Sequence, residues 1–202
     1  AMQAAEQAVL QLKQLSRSIE GFQLLCKPAE PGGRLLPSEA AQRAISMVQE
    51  GYRQAGISLE LQVRAEQTVH GSLQDLVQCL LNLFSNARDA ITAQQEPGGR
   101  ITVAIDLPDG NALQITVSDN GGGIPPELVH SVFDPYVTSK FRAQGVGLGL
   151  FVVRQIIEQR FQGSVSAGNR DNGAVITLEL PLETGRTRSE EHTSELQSRS
   201  DL

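Results

Sequence analysis

Between Asp119 and Leu150 the chain carries two glycine clusters, DNGGGI and GVGLGL, on either side of the stretch VFDPYVTSK. Glycine loses more conformational freedom on folding than any other residue, so clusters of it persist where the backbone must turn sharply or be approached closely. Both clusters need a rigid frame around them, and the flanking patterns say what that frame is. With 202 residues there is room for one well-buried domain and one further element. Hydrophobic content of 40% and charge of 20% are those of an ordinary soluble globular chain. A formal net charge of -6 argues against broad nucleic-acid binding, which favours a basic face. No apolar run reaches the roughly 20 residues that span a bilayer, and no signal peptide is visible. No membrane contact is expected within this stretch. Cys26 and Cys79 lie on apolar segments without metal-like spacing and read as reduced core thiols of a cytoplasmic protein.

Patterning divides the chain into four parts. In 1–28, Leu12, Leu15, Ile19, Phe22 and Cys26 recur at alternating spacings of three and four, a heptad-like seam on one long helix that needs partner helices to bury it. Residues 29–37 read as a linker punctuated by Pro31, Gly32, Gly33 and Pro37. The main domain is expected over 38–183. The string RSEEHTSELQS, Arg188 to Ser198, is what a common sequencing-library adapter encodes, so 184–202 is set aside as a non-native tail.

Within the main domain, Ser38 is expected to cap a helix running to about Gln54, with Ala41, Ala44, Ile45 and Val48 inward. The alternation ISLELQV predicts a strand over 57–63. Ser72, with Asp75 three residues on, opens a long amphipathic helix whose apolar face is Leu73, Leu76, Leu80, Phe84, Ala87 and Ile91. ITVAIDL and ALQITVS form a hairpin, and Pro125 to Val132 is expected to be a short helix. A further helix follows the second glycine cluster, and SVSAG pairs with AVITLEL. Without a regular βαβ beat the class is α+β: a two-layer sandwich of a mixed, mostly antiparallel sheet with helices on one face, preceded by one long bundle helix.

The chemistry concentrates in four places. At about 100° per residue, Gln78, Asn82, Asn86 and Asp89 share one stripe of the long helix. Asparagine is a mediocre helix former, so two of them mid-helix weaken it locally. Their amide oxygens are hard neutral ligands suited to magnesium. Asp119 ends a strand beside three glycines, where a carboxylate can accept from an exocyclic amine and a flat base can approach the backbone; the same string also makes ordinary turns. Gly145, Gly147 and Gly149 enter a helix N-terminus, which suits phosphate, although the spacing is neither a dinucleotide fingerprint nor a P-loop. Between the clusters, Thr138 to Val146 reads as a lid whose base Phe133 and Tyr136 pack onto the sheet, with Lys140 as a phosphate contact.

This set resembles the ATP-binding catalytic domain of two-component sensor histidine kinases, within the wider group that includes gyrase, chaperone ATPases and MutL. The likeness covers about Leu35 to Leu182, and LSRSIEGFQLLCKP looks like the second helix of the dimerisation and phosphotransfer bundle. It implies a Bergerat-type fold with ATP and Mg2+ as cofactors. Asn82 and Asn86 match the N box, which implies both as catalytic and metal-ligating positions, with Lys140 a third catalytic residue. Cofactor contacts are implied for Asn86, Asp89 and Ala90, then for Asp119, Gly121, Gly123 and Ile124 around the G1 box. They are implied also for Tyr136, Thr138, Ser139 and Lys140, for Gly145, Val146, Gly147, Leu148, Gly149 and Leu150 of the G2 box, and for Ala174. Two positions depart from the pattern: Ala174 stands where a threonine is usual, and Val146 replaces the threonine of the lid. Hydrolytic relatives place a glutamate base where this chain has Asn82, which takes no proton at neutral pH. No histidine fits the phosphoacceptor pattern: His70 precedes glycine, His130 precedes serine, and His192 lies in the excluded tail. The implied partners are a response-regulator receiver domain and a second copy of the chain through the bundle. A hydrolytic ATPase of the same fold, an anti-sigma-type serine kinase or a nucleotide-sensing module are the competing readings.

Overall fold

The computed structural model describes residues 32–137 and 147–182. The expected bundle helix, the lid from Thr138 to Val146 and the tail lie outside them. Strand β1 (Gly33–Leu35) leads into α1 (Pro37–Gln54), β2 (Ile57–Val63), β3 (Val69–Gly71) and α2 (Leu73–Gln94). The hairpin β4 (Gly99–Asp106) and β5 (Ala112–Asp119) follows, then α3 (Gly149–Arg160), β6 (Ser164–Arg170) and β7 (Gly173–Pro181). Five strands form a mixed sheet in the order β2-β4-β5-β7-β6. Only β2 and β4 are parallel, Ile57 lying opposite Gly99, and α2 lies in the crossover such a pair requires. The remaining pairs are antiparallel, so the sheet class matches the expectation.

Period-two alternation sets the two faces of this sheet. Ile101, Val103 and Ile105 of β4, Leu113, Ile115 and Val117 of β5, and Ile176, Leu178 and Leu180 of β7 are buried. The opposite face carries Thr102, Gln114, Thr116, Thr177 and Glu179, with Gln114 donating to Glu179 at 2.9 Å. Helix α2 packs on the sheet between α1 and α3. Its buried arc is therefore wider than the sequence stripe, since Val77, Cys79 and Leu83 join Leu76, Leu80, Phe84, Ala87 and Ile91. That central seat also leaves Gln78, Asn82, Asn86 and Asp89 half-buried. Burial pushes the Cys79 thiol well above its ordinary range, and the nearby Asp75 charge adds to the shift. Cys26 lies outside the described residues.

Three local expectations are corrected. Ser38 does not cap α1: the helix starts at Pro37, where the missing N–H is no loss, and Leu36 at the N-cap makes no side-chain bond. The supposed linker contains β1, which pairs antiparallel with β3, Gly33 opposite Gly71. No α-helix forms over 125–132. Leu128 donates to Pro125, Ser131 to Leu128 and Asp134 to Ser131, at 2.8 to 2.9 Å, which makes consecutive turns. Pro125 and Pro126 supply no donors, and Val132 and Phe133 are drawn into the core.

At the start of α2, Ser72 accepts from the Asp75 amide at 3.3 Å, as its spacing predicts. The Asp75 carboxylate does not close a capping box. Both its oxygens instead accept from Arg160 Nη1 at 2.8 Å, an ion pair with side chains 10% and 15% exposed. This pair joins the first turn of α2 to the last residue of α3.

Candidate functional site

Asp119 is the last residue of β5, where the sheet ends and the first glycine cluster begins. One of its carboxylate oxygens accepts from Gly121 N at 2.8 Å and from Ala174 N at 3.4 Å. Burial raises its pKa above the ordinary value, while those two amide bonds oppose the rise. The carboxyl is thus fixed by backbone donors at one oxygen.

The loop beyond Asp119 is held from several sides. Gly121 passes so close to α2 that a Cβ there would lie 2.6 Å from Ile91 N and 2.7 Å from the Ala90 Cβ. Only glycine fits this approach. Gln94 donates to Gly121 O at 3.2 Å, and Gly122 N donates to Asn172 O at 3.0 Å. Asn120 ties the loop to the start of β4, accepting from Arg100 N at 2.8 Å and donating to Gly98 O at 3.0 Å. Asn169 of β6 accepts from Ile124 N at 2.7 Å and donates to Ile124 O at 2.8 Å. Sequence reasoning assigned no role to Gln94, Asn120 or Asn169. Their backbone partners stand 20 to 45 residues away, so no local spacing announces them.

On α2, Asn86 faces the other glycine segment. A Cβ on Gly149, the first residue of α3, would lie 3.6 Å from the Asn86 amide nitrogen and 3.8 Å from its oxygen. The side chains of Asn82 and Asn86 have no hydrogen-bond partner among the described residues. Asp89 is paired with Arg88 at 3.0 Å, and the Arg88 guanidinium lies 5.7 Å from the centre of the Tyr52 ring. Leu148 is buried, Leu150 and Ile124 are half-buried, and Gly147 O accepts from Tyr136 N at 3.0 Å. The Tyr136 ring does not pack onto the sheet as expected. It is 65% exposed on a left-handed backbone, φ 67°, which turns it outward, while Phe133 is buried. Thr138, Ser139, Lys140, Gly145 and Val146 lie outside the described residues.

The structure therefore brings Asp119, Gly121 and Ala174 together at one wall, with Ala90 behind that wall, and sets Asn86 against the N-terminus of α3. A carboxylate acceptor beside close-approach backbone fits a flat, amine-bearing base. A helix N-terminus offers unpaired N–H groups and the positive end of a dipole, which suits phosphate. Among the described residues no group of three or more His, Cys, Asp or Glu side chains could hold a metal ion. An ion here would take one or two protein amide oxygens and keep water and phosphate oxygens for the rest, a donor set that fits magnesium.

Residues 71–184 match the family model of the histidine kinase-, DNA gyrase B-, and HSP90-like ATPases. The chain belongs to that family. The chain is 33% identical over 149 residues to the two-component sensor PprA of Pseudomonas aeruginosa, covering 72% of this chain and 16% of PprA. It is 41% identical over 130 residues to the sensor histidine kinase ZraS of Salmonella typhi, covering 62% and 27%. The chain thus spans roughly a sixth to a quarter of these relatives. The nucleotide-free catalytic domain of the histidine kinase ThkA superposes with a TM-score of 0.65 at 27% identity, over 76% of this chain and 98% of that one. ThkA has also been solved in complex with the response regulator protein TrrA. The α+β fold is that of histidine kinase catalytic domains, and ATP binding belongs to the ATPase family that residues 71–184 match.

Proposed function

We propose that this chain is the catalytic portion of a cytoplasmic sensor histidine kinase, holding Mg-ATP and presenting its γ-phosphoryl group to an imidazole nitrogen supplied from outside the described residues. The observation that carries this reading is Asp119, braced by Gly121 and Ala174, together with Asn86 of α2 set against the first residue of α3. Asp119 accepts from the adenine amine, and Gly121 lets the base lie against the loop. Asn86, with Asn82 one turn before it, would supply amide oxygen to the magnesium, which neutralises phosphate charge when bound. Lys140 and Gly145 to Leu150 are assigned to the phosphates, and Asp89, Ala90, Gly123, Ile124, Tyr136, Thr138 and Ser139 to the rest of the nucleotide. Catalysis is then mostly positioning and charge neutralisation. Asn82 provides no general base for water, which disfavours a hydrolytic ATPase. The receiving partners are a histidine on a helical bundle that dimerises the protein and, after it, a response-regulator receiver domain. Residues 1–28 are assigned to that bundle and 38–183 to the ATP-binding domain.

Calorimetry with Mg-ATP and labelling with γ-phosphate-labelled ATP test the proposal together. The expected result is saturable binding, no acid-labile phosphohistidine on the chain itself, and no more than slow ADP release. Absence of binding overturns the nucleotide reading. Rapid magnesium-dependent ADP release instead establishes a hydrolase.

A further inference from the structure

Asn169 stands on β6, an edge strand of the sheet, with its backbone in register opposite Ala174. Its side-chain amide meets both the N–H and the C=O of Ile124, at 2.7 and 2.8 Å. That is the bonding a neighbouring strand would offer one residue, here delivered by a single side chain. Ile124 follows Gly122 and Gly123, both on left-handed backbone at φ 88° and 79°. Two glycines in succession are the least self-ordering backbone available, so their path is set by what grips them: Gly122 N bonds Asn172 O at 3.0 Å, and each end is held as well. At the near end Gly121 is wedged against α2 and Gly121 N bonds Asp119. At the far end the grip is Asn169.

We infer that Asn169 is a positioning residue for the nucleotide site: its amide straps Ile124 to the sheet edge and so holds the Gly121–Gly123 loop in the shape the purine meets. The inference rests on the nucleotide reading above. Ordering the loop in advance removes a cost that would otherwise be met when ligand binds. Asn169 itself is exposed and its amide bonds only main-chain atoms of Ile124, so its removal is expected to loosen the loop more than the fold.

The test compares the unaltered chain with Asn169→Ala and Asn169→Asp, reading Mg-ATP affinity, Tm and amide hydrogen exchange over 121–124. Asn169→Ala is expected to bind Mg-ATP about tenfold more weakly, the loss of two modest hydrogen bonds, with faster exchange at Ile124. Its Tm should stay within about 2 °C of the unaltered chain. Asn169→Asp keeps the acceptor for Ile124 N–H and loses the donor, so its affinity is expected between the two. An Asn169→Ala variant that binds as well as the unaltered chain overturns the inference. So does a fall in Tm of many degrees shared by both variants, which marks a structural role. Failure of the unaltered chain to bind Mg-ATP overturns the nucleotide reading instead.

Discussion

Asp119 shows how a single residue is set against its own surroundings. Burial disfavours its charge, and among the described residues the Gly121 and Ala174 amides compensate in part. A carboxyl whose pKa is raised in the folded chain makes folding less favourable as pH rises through the interval between its ordinary and its raised value. Above that interval the charged group is a standing cost to the nucleotide-free domain. Asp119→Asn keeps an oxygen for both amides and removes the charge, so Tm at pH 7 should hold or rise while Mg-ATP affinity falls by more than tenfold. Parallel thermal melts and calorimetry check both arms. The same shift fixes the pH dependence of binding: the ionised acceptor is lost from a higher pH than for an ordinary aspartate. Affinity should therefore weaken on acidification, and binding should release more protons at pH 5 than at pH 7, readable in buffers of different ionisation enthalpy.

At the scale of elements, legibility followed the range of the interactions involved. The strand at Ile57–Val63, the β4–β5 hairpin and the Ser72 start of α2 were legible because alternation and capping are local signals. Strands β1 and β3 were not, since three residues pair across more than thirty and carry no period of their own. The turns over 125–132 defeated a helical reading because apolar residues there answer to the core, with two prolines withholding donors. The placing of Asp119 and Asn86 could be read from residue type and neighbourhood, whereas the Asn169 grip could not. Two substitutions probe how the elements are joined. Arg160→Ala leaves the Asp75 carboxylate buried without its ion-pair partner and should cost about 3 kcal/mol in denaturant unfolding. Gly121→Ala drives a methyl into the backbone of α2 and should cost about 2 kcal/mol, with ATP binding lost alongside. A Gly121→Ala variant as stable as the unaltered chain would show that the loop can stand off the helix.

For the whole molecule, one layer of helices on one face of the sheet leaves α2 as the shared member. It carries the asparagines on one flank, meets the glycine loop near its C-terminal end and is tied to α3 through Asp75 and Arg160. The site is thus built from parts of one core, and nucleotide binding should stabilise the whole: saturating Mg-ATP is expected to raise Tm as a single transition. A melt in which only a minor transition shifts would contradict that. The small ribbon of β1 and β3 adds a mechanical consequence. Gly33 lies beside Gly71, against which the Phe161 ring packs just beyond the last turn of α3, and Gly71 directly precedes Ser72 at the N-cap of α2. Tension or torque arriving along the incoming segment is therefore borne first at the rear ends of both helices. Each would act as a lever arm, and the far tip of α3 is the one set against Asn86.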